Sequence, residues 1–143
     1  MLKNIPAILS PELLKALMEM GHGDEIVISD GNFPAAAYAQ RLIRLDGHNV
    51  PEVLEAILKF LPLDIYVDHP VALMQVVTGD TVKTPIWGEY RKIVKASGEK
   101  NEDFEHVERF KFYERAKKAY VIVATSEAAL YANIILKKGV VVA

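Results

Sequence analysis

A histidine between two glycines, Gly21-His22-Gly23, stands just ahead of a short apolar run, Ile26-Val27-Ile28-Ser29, and Asp30 stands just past it. Imidazole changes protonation near neutral pH, so it can give and take protons as general acid–base work requires. The glycines remove bulk on both sides, which lets a ligand or another backbone approach the ring. Asp30 falls at a strand end, where α/β folds commonly place their chemistry. Two readings of His22 are open at this point: a proton-transfer group, or a turn residue bonding a nearby carbonyl. Three are open for Asp30: a hydrogen-bond partner for a substrate hydroxyl, an orienting partner for His22, or a cap on the Gly31-Asn32 turn.

Other residues could join them. Arg109, in the run Glu108-Arg109-Phe110-Lys111-Phe112-Tyr113-Glu114-Arg115, carries a fixed fan of donors suited to sugar hydroxyls or a carboxylate. Tyr113 offers a phenol as donor or weak acid; packing of the aromatics inward is the alternative. Tyr131-Ala132-Asn133 precedes a strand-like run, so its phenol and amide either face a pocket or form an ordinary turn. Asp64, after Leu61-Pro62-Leu63, reads as a turn residue, and Asp24 as a solvated strand entrance. His48 and His69 read as loop residues, while His106 alternates with buried neighbours on a short strand. His22, Asp24 and Asp30 lie near one another in sequence, but their spacing matches no metal-ligand pattern, and no metal is expected. There is no Gly-rich dinucleotide or phosphate loop, no His-Glu-x-x-His and no Gly-x-Ser-x-Gly elbow.

The elements that must position these groups alternate between helix and strand. Ser10-Pro11-Glu12 opens a helix whose apolar face is Leu13, Leu14, Leu17 and Met18, and Gly21 ends it. Strands are expected over 25–29, 42–45, 71–77, 105–107, 120–124, 133–137 and 140–142. Helices are expected over 35–40, from Pro51 through Leu61 to a stop at Pro62, from a Thr84-Pro85 cap to Ser97-Gly98, and over 109–117. Ser126 is expected to cap a further short helix. The alternation predicts an α/β fold: a single layered domain over residues 1–143, with a mainly parallel sheet flanked by helices.

Composition excludes several classes. Charged residues are 25 % and hydrophobic ones 51 %, the balance of a globular chain. Net charge is −2 and the lysines and arginines are interspersed with carboxylates, so no basic stripe suits a nucleic acid. Cysteine is absent, which removes disulfides and thiolate chemistry. Met-Leu-Lys-Asn-Ile-Pro lacks a signal peptide's apolar run, and 119–124 is far short of the ~20 residues that cross a bilayer. The expectation is a cytoplasmic protein with no membrane partner.

Taken together the motifs resemble the L-fucose mutarotase and D-ribose pyranase family over nearly the whole chain. The likeness runs through Leu9-Ser10-Pro11-Glu12-Leu13-Leu14, Met20-Gly21-His22-Gly23-Asp24-Glu25 and Asp30-Gly31-Asn32-Phe33-Pro34. It continues through Leu63-Asp64, Thr84-Pro85-Ile86-Trp87, the segment from Arg109 to Ala116, and the segment from Tyr131 to Gly139. The resemblance implies interconversion of the α and β anomers of a free sugar, or of pyranose and furanose, without a cofactor. It implies His22 as proton donor, sugar-binding roles for Asp30, Asp64, Arg109, Tyr131 and Asn133, and catalytic roles for Tyr113 and Tyr131. It further implies ring-shaped homo-oligomers, commonly decamers, with active sites at subunit contacts. The family's fucose enzymes carry an arginine at the position of Arg109 where its ribose enzymes carry a histidine, and Phe112-Tyr113-Glu114-Arg115-Ala116 resembles the fucose branch. Ala132, where many fucose members have glycine, and Tyr120, where relatives often have phenylalanine, depart from the pattern.

Overall fold

The first helix shows how local sequence sets the frame. In the computed structural model, which describes residues 1–99 and 103–143, α1 (Pro11–Glu19) begins where the Ser10 hydroxyl accepts from the Leu13 N–H at 3.2 Å. Proline at the first position and Glu12 in the first turn suit the helix's positive end. Leu13, Ala16 and Leu17 are buried, but Met18 points to solvent, contrary to the expected face. Five residues on from Leu13, Met18 lies about 140° around the helix, off the buried stripe.

Strands β1 (Glu25–Ser29), β2 (Leu42–Leu45), β3 (Val71–Met74), β4 (Glu105–Val107), β5 (Val121–Thr125) and β6 (Ile134–Lys137) form one sheet in the order β2-β5-β1-β6-β3-β4. β5 pairs in parallel with β1 and β2, as does β3 with β4. Only β6 is reversed, running antiparallel between β1 and β3. The fold is therefore the expected α/β domain with a mainly parallel sheet. Because strand side chains alternate, Ile26 and Ile28 pack on one face with Leu13 of α1, Leu54 and Ile57 of α3 (Val50–Leu58) and Tyr90 of α4 (Ile86–Ala96). Val27 packs on the other with Ala35 of α2 (Ala35–Tyr38) and Phe112 and Ala116 of α5 (Arg109–Lys118).

Four expectations need correction. β3 stops at Met74 rather than residue 77, since its partner β4 is only three residues long, and residues 75–80 swing out as a loop. Thr84 caps α4 through its carbonyl, which accepts from Trp87 N–H at 3.1 Å, and not through its side chain. No helix follows Ser126, whose hydroxyl is taken by the Gly47 N–H at 2.8 Å. Residues 140–142 form no strand: both edges of β6 are already paired, and the tail runs past the sheet's end into solvent.

The reversal of β6 decides what meets at each end of β1. Ile134, the first residue of β6, lies beside Ile28 and Leu73, so the segment just before it abuts the C-terminal ends of β1 and β3. At the opposite end Lys137 pairs with Glu25, and Lys138 bridges to Leu63.

Candidate active site

Two clusters of chemically capable side chains result, one at each end of β1. At its C-terminal end Asp30, Arg109, Tyr113, Tyr131 and Asn133 line one cavity of about 260 Å³. Asp30 and Asn133 are both buried, and the Asp30 N–H donates to Asn133 Oδ1 at 2.7 Å. Asp30 Oδ1 accepts from the Asn32 N–H at 3.0 Å, which forms the Asx turn expected of Asp-Gly-Asn. Burial pushes the Asp30 carboxyl above the usual carboxylate range, against the pull of the Asn32, Phe33 and Ala132 N–H groups; the Glu127 charge adds to the rise.

Arg109 and Tyr113 are one helical turn apart on α5, so both face the cavity. Arg109 Nε donates to the Tyr113 hydroxyl at 3.1 Å. The Tyr113 ring is wedged by Phe33 and Tyr38, with centroids 5.7 and 5.5 Å away, which fixes where its phenol stands. Tyr131 has φ +55°, a left-handed conformation that is strained for a bulky side chain. The positive φ thus falls on Tyr131 and not on Ala132, so alanine fits where many relatives carry glycine. Three groups hold the strained turn. Trp87 Nε1 donates to the Tyr131 carbonyl at 2.8 Å, the Tyr90 hydroxyl donates to the Ala132 carbonyl at 2.6 Å, and the Val77 N–H reaches the Tyr131 hydroxyl at 3.3 Å.

At the N-terminal end of β1, His22 Nε2 lies 3.0 Å from Asp64 Oδ1. The imidazole side chain is 46 % exposed while the Asp64 side chain is 4 % exposed, so a buried carboxylate holds an accessible ring. Burial works to raise the Asp64 carboxyl, but the Tyr66 N–H at 3.1 Å and the His22 ring outweigh it and hold it below the usual range. The Tyr66 ring packs beside the imidazole at 5.5 Å. Asp64 reaches this position because its N–H bonds the Lys137 carbonyl at 3.0 Å, and the Gly23 N–H is tied to the Lys138 carbonyl at 2.8 Å.

His22 and Asp30 are separated by β1, which spans about 16 Å. Asp30 therefore does not orient His22; Asp64 does. Nor do His22, Asp24 and Asp30 converge as a group, and no cluster of three His, Asp or Glu able to hold a metal ion forms among the described residues. His48 meets Glu52 at 3.1 Å, His69 meets the Asp103 carbonyl at 2.9 Å, and His106 packs on Trp87; none of the three lines the cavity. Sequence reasoning missed Asp80, Trp87, Tyr90 and Glu127 as supports of the site. Trp87 and Tyr90 read as core, yet an indole or phenol on an apolar helix face has a polar tip that needs a partner, which was the available signal. Asp80 in its Gly-Asp turn gave none.

The sequence profile of the RbsD / FucU transport protein family matches residues 3–141. The chain is 54 % identical to the fucose mutarotase of Homo sapiens over 145 residues, covering 97 % of this chain and 94 % of that protein. It is 49 % identical to the L-fucose mutarotase of Actinobacillus pleuropneumoniae serotype 5b over 140 residues, covering 98 % and 97 %. The crystal structure of the fucose mutarotase from Streptococcus pneumoniae in complex with L-fucose superposes with a TM-score of 0.94 at 57 % identity, covering 99 % of this chain and 100 % of that one. No helix among the described residues is long and apolar enough to cross a membrane. By profile, identity and fold alike, this chain belongs to the RbsD / FucU family.

Proposed function

We propose that this chain is an L-fucose mutarotase, interconverting the α and β anomers of the free sugar by acid–base ring opening and reclosure. One observation carries the reading: two carboxyl groups, a guanidinium, two phenols and two amide residues line a single cavity of about 260 Å³ at the strand ends. Such a lining suits a molecule that is mostly hydroxyl groups. Likeness to a structure solved with L-fucose bound supports the choice of sugar. Arg109 supports fucose over the pyranose–furanose conversion of ribose, on the family pattern given above.

Ring opening breaks the bond between C1 and the ring oxygen. The ring oxygen gains a proton, the anomeric hydroxyl loses one, and C1 becomes a carbonyl that rotates before the ring recloses on its other face. Only proton transfer is needed, and positioned side chains typically supply ~10²–10⁴-fold each. Asp64, ionised, accepts from His22 Nε2–H, so Nδ1 is the nitrogen left to exchange a proton with the sugar. A tyrosine, Tyr113 or Tyr131, exchanges the other. Asp30, Arg109 and Asn133 hold the remaining hydroxyls, and Asp64 contributes through His22. A site built to pair those hydroxyls rejects sugars that lack them.

The two clusters lie too far apart in one chain to touch one monosaccharide. The site is therefore completed between copies, His22 and Asp64 of one closing over the cavity of the next. Exposed apolar side chains at both ends support this contact: Ile65 and Tyr66 beside His22, and Phe110, Leu130 and Val77 around the cavity. Joining one end to the other is head-to-tail, which generates rings; two stacked five-membered rings make the decamer. The cysteine-free chain fits a cytoplasmic setting.

Saturation-transfer NMR on L-fucose near anomeric equilibrium tests the reaction. Enhanced exchange is expected from the protein and its loss from His22→Ala; saturable binding without exchange would make it a sugar-binding module instead. D-ribose run in parallel would overturn the Arg109 argument if it were preferred. Mixing His22→Ala with Asp30→Asn after dissociation and reassembly tests the shared site. About a quarter of the sites in a random heterologous ring combine an intact His22 with an intact cavity, so activity returns. No recovery would place each site within one chain.

A further inference from the structure

Tyr131 has a partner outside the family's known sugar-binding set. Its hydroxyl donates to Asp80 Oδ2 at 2.7 Å, while Asp80 Oδ1 accepts from the Val82 N–H at 3.0 Å and the Asp80 N–H bonds the Val77 carbonyl at 3.0 Å. One carboxylate oxygen is thus anchored to its own loop and the other is presented to the phenol. We propose that Asp80, which lines the same cavity, is the positioning residue of Tyr131, holding the phenol's proton on its own carboxylate so that the phenol oxygen meets the sugar as a hydrogen-bond acceptor.

The argument is a count of donors. A phenol has one proton and two lone pairs. Asp80 takes the proton and the Val77 N–H takes one lone pair, so what remains for a ligand is the second lone pair. Tyr131 can then receive the proton-bearing anomeric hydroxyl but cannot donate to the ring oxygen, which leaves donation to the imidazole arm. As Tyr131 takes the anomeric proton, its own proton passes along the 2.7 Å bond to Asp80 and returns on reclosure, which divides the two proton transfers between Tyr131 and His22 and rests on the mutarotase reading above. The division is reinforced from both sides. The phenol and the Val82 N–H hold the Asp80 carboxyl below its usual range, and Asp80 holds the Tyr131 phenol above its own, so the first stays ionised and the second stays neutral near pH 7. An ionised acceptor pulling on the phenol proton also makes the oxygen a stronger acceptor. Trp87 pins the left-handed Tyr131 backbone through its carbonyl, which fixes the point from which the ring projects toward Asp80 and Val77.

A double-mutant cycle on L-fucose exchange tests this. Asp80→Ala is expected to lower the rate at saturating sugar roughly tenfold with little change in KM, and Asp80→Asn, which keeps an acceptor oxygen without the charge, to recover part of the loss. In a Tyr131→Phe background, where no phenol remains to be oriented, Asp80→Ala should cost less than about twofold. Asp80 is exposed, so the melting temperature of both Asp80 variants should match the parent's. An equal loss in both backgrounds, or no loss in either, overturns the assignment while leaving the mutarotase reading intact. Failure of the unmodified protein to exchange L-fucose at all is the separate result that would remove the reading itself.

Discussion

Gly139→Ala tests whether the fold places the His22 arm in the way described. Gly139 is buried against the Leu63–Asp64 backbone, and its N–H donates to the Pro62 carbonyl at 2.8 Å. A Cβ at this position would stand 2.5 Å from the Leu63 carbonyl oxygen and 2.9 Å from the Asp64 Cα. Neither is the end of a flexible side chain that can rotate away. Reaching an ordinary separation of 3.4 Å requires the Leu63–Asp64 backbone to retreat by about 0.9 Å. Asp64 holds His22 across 3.0 Å, and a retreat of that size stretches the contact beyond hydrogen-bond reach. Overpacking of this kind costs about 1–3 kcal/mol, or roughly 3–10 °C in melting temperature for a chain of this size. A ~1 Å misplacement of a catalytic group lowers rate by about 10²-fold. L-Fucose exchange by NMR and thermal unfolding by circular dichroism read the two effects on one sample. Gly88→Ala is the control: Gly88 lies inside α4 with open space around its would-be Cβ, so that variant should gain about 0.5–1 kcal/mol and keep its activity. A Gly139→Ala protein as stable and as active as its parent would refute the link between the β6 exit and the imidazole arm.

The remaining predictions concern the carboxyls and the clamp on Tyr131. Asp30→Asn should melt above the parent at neutral pH. The folded-state carboxyl sits above its usual range, so a penalty on folding builds as pH rises through the unfolded value and is complete above the raised folded one. The advantage should vanish as pH falls below about 4, where both states are protonated, and the variant should lose sugar affinity throughout. Asp64 behaves oppositely. Its lowered carboxyl stabilises the fold above about pH 4 and loses that contribution as pH falls through the folded-state value, so Asp64→Asn should flatten the acid limb of a melting-temperature profile. Tyr90→Phe removes the 2.6 Å bond to the buried Ala132 carbonyl and should cost about 1–3 kcal/mol in urea unfolding. It should also weaken exchange, because the Tyr131 turn loses one of its restraints.

How much of this was legible in the sequence depended on whether the cause was local. α1, β1 and α5 follow from caps and periodicity, and those signals lie within a few residues of the elements they define. The Asp30 turn is local in the same sense. The antiparallel course of β6 was not visible, because strand direction is set by pairing with β1 and β3, more than 60 residues away for β3. Without it the meeting of Asn133 with Asp30, and of Asp64 with His22, cannot be read from spacing. Val140–Val142 has the β-branched composition of a strand, but both sides of the preceding β6 are already paired and the tail runs past the sheet's end. Asp80 sits in a Gly-Asp turn like many others, and its bond to Tyr131 spans 51 residues.

The reversed strand also explains how one short chain carries the two clusters at opposite ends of its sheet. In an all-parallel sheet the functional loops gather at the C-terminal strand ends, while the other end mostly stabilises the fold. Here β6 enters beside Asp30 and leaves beside Glu25, so its two flanks build both ends: Tyr131 and Asn133 at one, Lys138 and Gly139 at the other. The second end thereby gains the support that seats Asp64 under His22. In the shared site proposed above, a heterologous contact repeated around a closing rotation would fill every cavity with a neighbour's imidazole. The proposed shared site predicts that dilution which splits the assembly abolishes exchange while the separated chains remain folded.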